Sequence, residues 1–169
     1  QSALGYYLDG KATIPPDLGI FLGTSYRMHP SICRFISEAV YENRLQHHAQ
    51  THVHALELEQ GFSVGQGSGI CFVPVLHDGN SQHRPEEIHA IDQLVHELTG
   101  LPYMAQRGQC QGTIESQDIL VISPYNLQVG YLKEKLGDRA RIGTVDKFQG
   151  QEAPVLILSM CSSNKETIP

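Results

Sequence analysis

The chain has 169 residues, 12 Lys and Arg against 18 Asp and Glu, a formal net charge of -6 and 40% hydrophobic residues. That length suits one domain with a real core, and the acidic balance excludes a protein that coats nucleic acid by bulk charge. No apolar run approaches the roughly 18 residues of a membrane span, and the opening QSALGYYLDGK lacks the basic and apolar regions of a signal peptide, so a cytoplasmic, membrane-free protein is expected.

Residues 19–24 (GIFLGT) are a short apolar run closed by small residues and predict a buried strand. A helix follows. Pro30 suits its first turn, and Ile32, Phe35, Ile36, Ala39 and Val40 recur at helical spacing as one apolar stripe. Near residues 45–69 the pattern breaks into histidines, glutamines and GFSVGQGSG, which predicts a loop-rich insertion. His47, His48, His52 and His54 crowd its start, but no cysteine or carboxylate completes a ligand spacing, so no metal site is expected there.

Residues 70–76 (ICFVPVL) predict another strand, with Pro74 favouring an edge position. Pro85, Glu86 and Glu87 then make an acidic first turn, and Ile88, Ile91, Leu94, Val95 and Leu98 form the stripe of a helix stopped by Gly100 and Pro102. Residues 118–123 (DILVIS) predict a strand, after which Asn126 is expected to cap a helix that turns Leu127, Leu132 and Leu136 inward. Residues 141–145 and 155–160 (VLILSM) predict two further buried strands around the turn-like KFQGQEAP. Cys33, Cys71, Cys110 and Cys161 are too scattered for a disulfide framework and are expected to be buried free thiols. Lys133, Lys135, Arg139, Arg141 and Lys147 outnumber Glu134, Asp138 and Asp146, either as a phosphate-facing patch or as a solvated helix end.

Strands alternating with amphipathic helices imply a mainly parallel sheet, and such sheets gather ligands beyond the carboxyl ends of their strands. The segments there are TSYRMHP, SPYNLQ and TVDKFQGQE, the most polar and unusual stretches of the chain. Tyr26 can stack on a base and Arg27 can grip phosphate, or both simply cover a helix entry. Ser123, Tyr125 and Gln128 follow a strand where a hydroxyl or backbone amide meets a nucleic-acid phosphate, although a helix start explains them equally. Thr144, Asp146, Gln149, Gly150 and Glu152 share one turn, in which the glycine permits close backbone approach.

Together these segments resemble superfamily 1 helicases, in the branch that holds the RNA-surveillance helicases and the replication helicase-nucleases. YRMHPSICRFISEAVYENRL is similar to motif IV and its helix, while ILVISPYNLQ and IGTVDKFQGQEAPVLILSM are similar to a strand and motif V of the same domain. The resemblance is strong over residues 21–41 and 119–160, and residues 46–112 match only in layout. SALGYYLDG and FVPVLHDGNS also look similar to bacterial proteins that join a RecB-like nuclease to such a helicase.

The resemblance implies a three-layer RecA-like α/β domain of the P-loop NTPase type, the second of two motor domains, over residues 19–169 after a lead-in at 1–18. It implies that Tyr26 stacks on adenine, that Arg27 is the catalytic arginine at the γ-phosphate, and that Glu152, with Gly150 beside it, meets the ribose. Ser123, Tyr125, Gln128, Thr144, Asp146 and Gln149 fall on or near the nucleic-acid track. ATP and Mg²⁺ are the implied cofactors, and the implied partners are a first RecA-like domain and a single strand, DNA rather than RNA.

The chain has no G-x-x-x-x-G-K-[ST] loop, no Walker B acids and no arginine-bearing motif VI, so it is expected to be a piece of a longer enzyme, inactive alone and holding no nucleotide tightly. The rival readings are a non-catalytic RecA-like module that binds nucleic acid or protein, and a positioning domain for a nuclease.

Overall fold

The computed structural model describes residues 3–8, 10–58, 60–76, 84–105 and 109–161. Its elements in chain order are α1 (Ala3–Leu8), β1 (Thr24–Ser25), α2 (Pro30–Val40), β2 (Gln46–His47), β3 (Ala55–Leu56), α3 (Pro85–Leu98), β4 (Pro102–Ala105), β5 (Gln109–Thr113), β6 (Ile119–Ile122), α4 (Asn126–Leu136), β7 (Arg141–Gly143) and β8 (Val155–Leu158). The fold is mixed α/β with mainly parallel sheets, as a RecA-like domain requires. Two compact units divide it. One spans Gln1–Leu56, Gln66–Cys71 and Met104–Gln111, and the other Glu57–Gly65, Phe72–Tyr103 and Gly112–Pro169.

The second unit is built on a parallel sheet in the order β7-β6-β8. The central strand pairs Val121 with Ile142 on one side and with Ile157 on the other. Bonded along both edges, the ILVI run of β6 can be apolar throughout, and Ile119, Leu120 and Val121 are buried. Helix α4 packs on β7 and against α3. All five residues of the predicted α3 stripe, Ile88, Ile91, Leu94, Val95 and Leu98, are buried, as are Val129, Leu132 and Leu136 of α4. Each such side chain contributes about 1.5 to 3 kcal/mol relative to exposure. The acidic start of α3 has a further use. The Glu87 carboxylate accepts the backbone N–H groups of Met160 (2.8 Å) and Cys161 (3.1 Å), tying the chain beyond β8 to that helix. Leu156, Leu158 and Met160 point the other way and are exposed, so within this unit the helical cover lies on one side of β8.

In the first unit β1 and β2 run parallel, Thr24 beside Gln46 and Ser25 beside His47, and α2 packs on β2. Helix α2 begins at Pro30 as its sequence predicts, but its buried residues are Cys33 and Ser37 rather than the larger ones of the apolar stripe. Phe35 and Val40 are exposed. The reason is close backbone approach, since Ser37 Oγ accepts the Leu45 N–H at 3.0 Å and only small side chains fit between. A buried Thr13 bridges Glu42 (2.7 Å) and Arg44 (2.6 Å), whose guanidinium lies 4.6 Å from the Phe21 ring centroid.

Five further expectations are corrected. Residues 19–23 form no strand, the ladder starting at Thr24 with only the Gly23 carbonyl accepting the Gln46 N–H of β2 (2.7 Å), and residues 70–76 form none. Ile20 and Leu76 are accordingly 88% and 93% exposed. Tyr125, not Asn126, is the N-cap of α4 and makes no side-chain capping bond, while Leu127 is exposed rather than inward. Cys71 and Cys110 are exposed, and only Cys33 and Cys161 are buried. Residues 77–81, the end of the FVPVLHDGNS segment, lie outside the described residues.

Candidate functional site

The turn after β1 presents Tyr26 and Arg27. Ser25 Oγ accepts the N–H groups of Arg27 (3.4 Å) and Met28 (3.3 Å), folding the chain tightly before α2 and leaving Tyr26 and Arg27 exposed. His29 caps α2 by accepting the Ser31 N–H on Nδ1 at 3.3 Å. Burial, reinforced by His54, His47 and His52, holds the His29 pKa below the ordinary histidine value. The parallel register carries one step further, so that Tyr26 and His48 stack with ring centroids 4.5 Å apart and planes inclined by 27°. A cavity of about 280 Å³ lies along the same helix, lined by Pro30, Arg34, Asn43, Gln46 and His47 among others. Among the described residues, no three His, Cys, Asp or Glu side chains converge to hold a metal ion.

The second unit holds the remaining candidates. Ser123 and Gln128 are both fully buried. Gln128 Oε1 accepts the Arg84 N–H at 3.0 Å and its Nε2 donates to Ser159 Oγ at 3.0 Å. Ser123 Oγ accepts the Tyr125 N–H at 3.4 Å and lies 3.5 Å from Cys161 Sγ. Burial raises the Cys161 thiol pKa, which bonds from Ser123 and Ser159 only partly offset. These groups join β6, α4 and the end of β8 into one polar knot beneath the surface, and Tyr125 above it is half-buried.

The stretch from Thr144 to Glu152 sits at the end of β7. A 3-10 turn over Asp146–Phe148 folds back, so that a Cβ at Gly143 would lie 2.6 Å from Lys147 Cδ and 3.0 Å from Phe148 Cε2. Phe148 is buried, Lys147 Nζ donates to the Ile142 carbonyl at 3.1 Å, and Gln151 accepts from Arg141 while donating to the Lys147 carbonyl at 3.2 Å. So anchored, the turn leaves Asp146, Gln149, Gly150 and Glu152 exposed and Thr144 half-buried. Gly150 has φ +79°, the left-handed region that suits glycine.

Residues 11–168 match the family described as an AAA domain. The chain belongs to this family, as a superfamily 1 helicase domain. It is 29% identical over 159 residues to the DNA-binding protein SMUBP-2 of Rattus norvegicus, an alignment covering 86% of this chain and 15% of that protein. It is 30% identical over 155 residues to the DNA polymerase alpha-associated DNA helicase A of Schizosaccharomyces pombe, covering 85% and 23%. The probable helicase MAGATAMA 3 of Arabidopsis thaliana is 30% identical over 162 residues, covering 85% and 18%. The chain thus spans between 15% and 23% of the length of these three relatives.

In this helicase domain the structure gathers Thr144, Asp146, Gln149 and Gly150 in one turn and links Ser123 to Gln128 through Ser159 and Cys161, whereas Tyr26 and Arg27 belong to the other unit. His48, Lys147, Phe148 and Gln151 orient the candidates rather than stand among them; the sequence marked His48 only within the histidine-rich stretch and Lys147 only within the basic patch, and left Phe148 and Gln151 without a role. An aromatic and a glutamine inside so polar a stretch as KFQGQE were the available signal for two of them. Among the described residues, no helix is long and apolar enough to cross a membrane.

Proposed function

We propose that this domain is the second RecA-like motor domain of an ATP-dependent helicase that moves along single-stranded nucleic acid, DNA rather than RNA. The carrying observation is the pair Tyr26 and Arg27, exposed on a turn that Ser25 holds ahead of α2, in a chain of the superfamily 1 helicase family. An exposed aromatic ring backed by a second ring suits a purine base, and an exposed guanidinium suits a phosphate, so these residues fit ATP as substrate. Tyr26 takes the adenine, Arg27 neutralises charge that develops on the γ-phosphoryl group, and Glu152 with Gly150 meets the ribose. Bound Mg²⁺ supplies charge neutralisation at the phosphates, with its ligands and the phosphate loop contributed by a first RecA-like domain. Thr144, Asp146, Gln149 and Tyr125 contact the strand, while Ser123 and Gln128, being buried, act on it through the loops they position. DNA is the preferred strand because two of the relatives carry DNA in their names. Four free cysteines, two of them exposed, support a reducing compartment, the cytoplasm.

The test is ATP turnover by the full-length enzyme. An arginine aimed at a transferring phosphoryl group is worth about 10³ to 10⁵ in rate. Lysine keeps the charge without the planar fork, so Arg27→Ala and Arg27→Lys should both lower kcat severely while nucleotide-free strand affinity changes little. Strand-stimulated turnover of Arg27→Ala within about threefold of wild type, or about 0.7 kcal/mol in barrier height, refutes the assignment.

A further inference from the structure

Tyr26 is unusual for a residue assigned to base stacking, because one of its faces already carries another ring. The His48 imidazole lies 4.5 Å from the Tyr26 centroid at 27°, yet Tyr26 remains 71% exposed. With one face backed, that exposure belongs to the opposite face and the ring edge. His48 is itself fixed at main chain and ring, independently of Tyr26. Its backbone N–H donates to the Ser25 carbonyl at 2.8 Å, continuing the β1-β2 register, and its Nδ1 accepts the Gln50 N–H at 3.3 Å as N-cap of the 3-10 turn Ala49–Val53. An accepting Nδ1 leaves the proton of the neutral ring on Nε2, away from the cap.

Capping alone does not call for histidine, since Asn, Asp and Ser are the favoured caps and reach the same N–H with less side chain. What histidine adds is a flat π face. On an exposed turn a tyrosine has two free side-chain torsions, and ordering them is part of the cost of binding a base. A ring already stacked on a second, anchored ring has lost that freedom before ligand arrives.

We propose that His48 is a positioning residue for nucleobase recognition: its anchored imidazole backs Tyr26 and holds the phenol ring as a preformed platform, so that a bound purine becomes the third layer of a Tyr26–His48 stack. The inference rests on the reading of Tyr26 as the base-stacking residue and extends it to a side chain in the histidine-rich segment. His48 acts through the Tyr26 ring, so its effect belongs to nucleotide affinity and not to the chemical step.

Two substitutions in the full-length enzyme separate stacking from capping. His48→Asn keeps a capping acceptor and removes the ring, and His48→Phe keeps a ring and removes the acceptor. Steady-state ATPase gives KM and kcat for each, with inorganic tripolyphosphate, which has no base, as competitor. An aromatic pair of this kind is worth about 2- to 12-fold in affinity. His48→Asn should raise the KM for ATP by that factor, with kcat within about twofold of wild type and the tripolyphosphate inhibition constant unchanged, and His48→Phe should restore the wild-type KM. A wild-type Asn variant beside an impaired Phe variant would mean that His48 is only a cap, and equal behaviour of the two variants also overturns the proposal. Tyr26→Ala distinguishes the two levels. If it raises KM while His48→Asn does not, the positioning role alone fails; if it leaves KM unchanged, the base-stacking reading fails with it.

Discussion

Gln128 lies in a segment that resembles the nucleic-acid track of the family, yet it is fully buried and both ends of its amide are engaged within the protein. Replacing it with methionine keeps length and approximate volume while removing the acceptor of the Arg84 N–H and the donor to Ser159 Oγ. A buried polar group deprived of its partner costs about 1 to 3 kcal/mol, so two such groups set a range of about 2 to 6 kcal/mol. Ser159 has Cys161 Sγ at 3.5 Å as an alternative, which places the expectation in the lower half of that range. Urea unfolding of the purified chain measures it, and strand affinity below the unfolding transition should be weakened rather than lost, because Gln128 acts on the strand only through the loop it positions. Gln128→Met with stability within about 0.5 kcal/mol of wild type and strand binding abolished would refute this reasoning, because that pattern belongs to a direct contact.

The lowered pKa of His29 means that the unfolded chain binds more protons than the folded one below the ordinary histidine pKa of about 6.5. Stability is therefore full above that value and declines as pH falls through it toward the lower folded value; His29→Asn, which keeps a capping acceptor, should flatten the decline in melting temperature measured from pH 7.5 to 5. Thr144→Ala should weaken strand binding, measured by fluorescence anisotropy, more than it lowers basal ATP hydrolysis, and the reverse order would move Thr144 off the track. The 169-residue chain alone should hydrolyse ATP no faster than background, since it contains no phosphate-binding G-x-x-x-x-G-K-[ST] loop. Turnover that survives purification and vanishes on Arg27→Ala would contradict that.

Where local chemistry and tertiary burial agreed, the residues could be read directly. The period of Ile88, Ile91, Leu94, Val95 and Leu98, bounded by Pro85 and Gly100, determined helix α3 and its inward face, because a stripe that wide has no other low-energy place than a core. The uninterrupted apolar runs of β6 and β8 determined strands able to sit side by side in a parallel sheet, and the motifs around Tyr26, Ser123 and Thr144 determined the helicase family. The buried face of α2 was decided by the tertiary structure. Backbone approach near Leu45 admits Cys33 and Ser37 and turns Phe35 outward, against the hydrophobic pattern. Residues 19–23 and 70–76 have strand-like composition, but a strand exists only where a neighbour supplies hydrogen bonds. Ser123 and Gln128 read as surface polar residues because a sequence shows their donors and acceptors but not their partners, which come from just beyond β8 and from the N-cap of α3, 31 to 44 residues away in the chain. The Tyr26–His48 stack depends in the same way on the parallel register of β1 and β2, a pairing between residues more than twenty positions apart that no local period encodes.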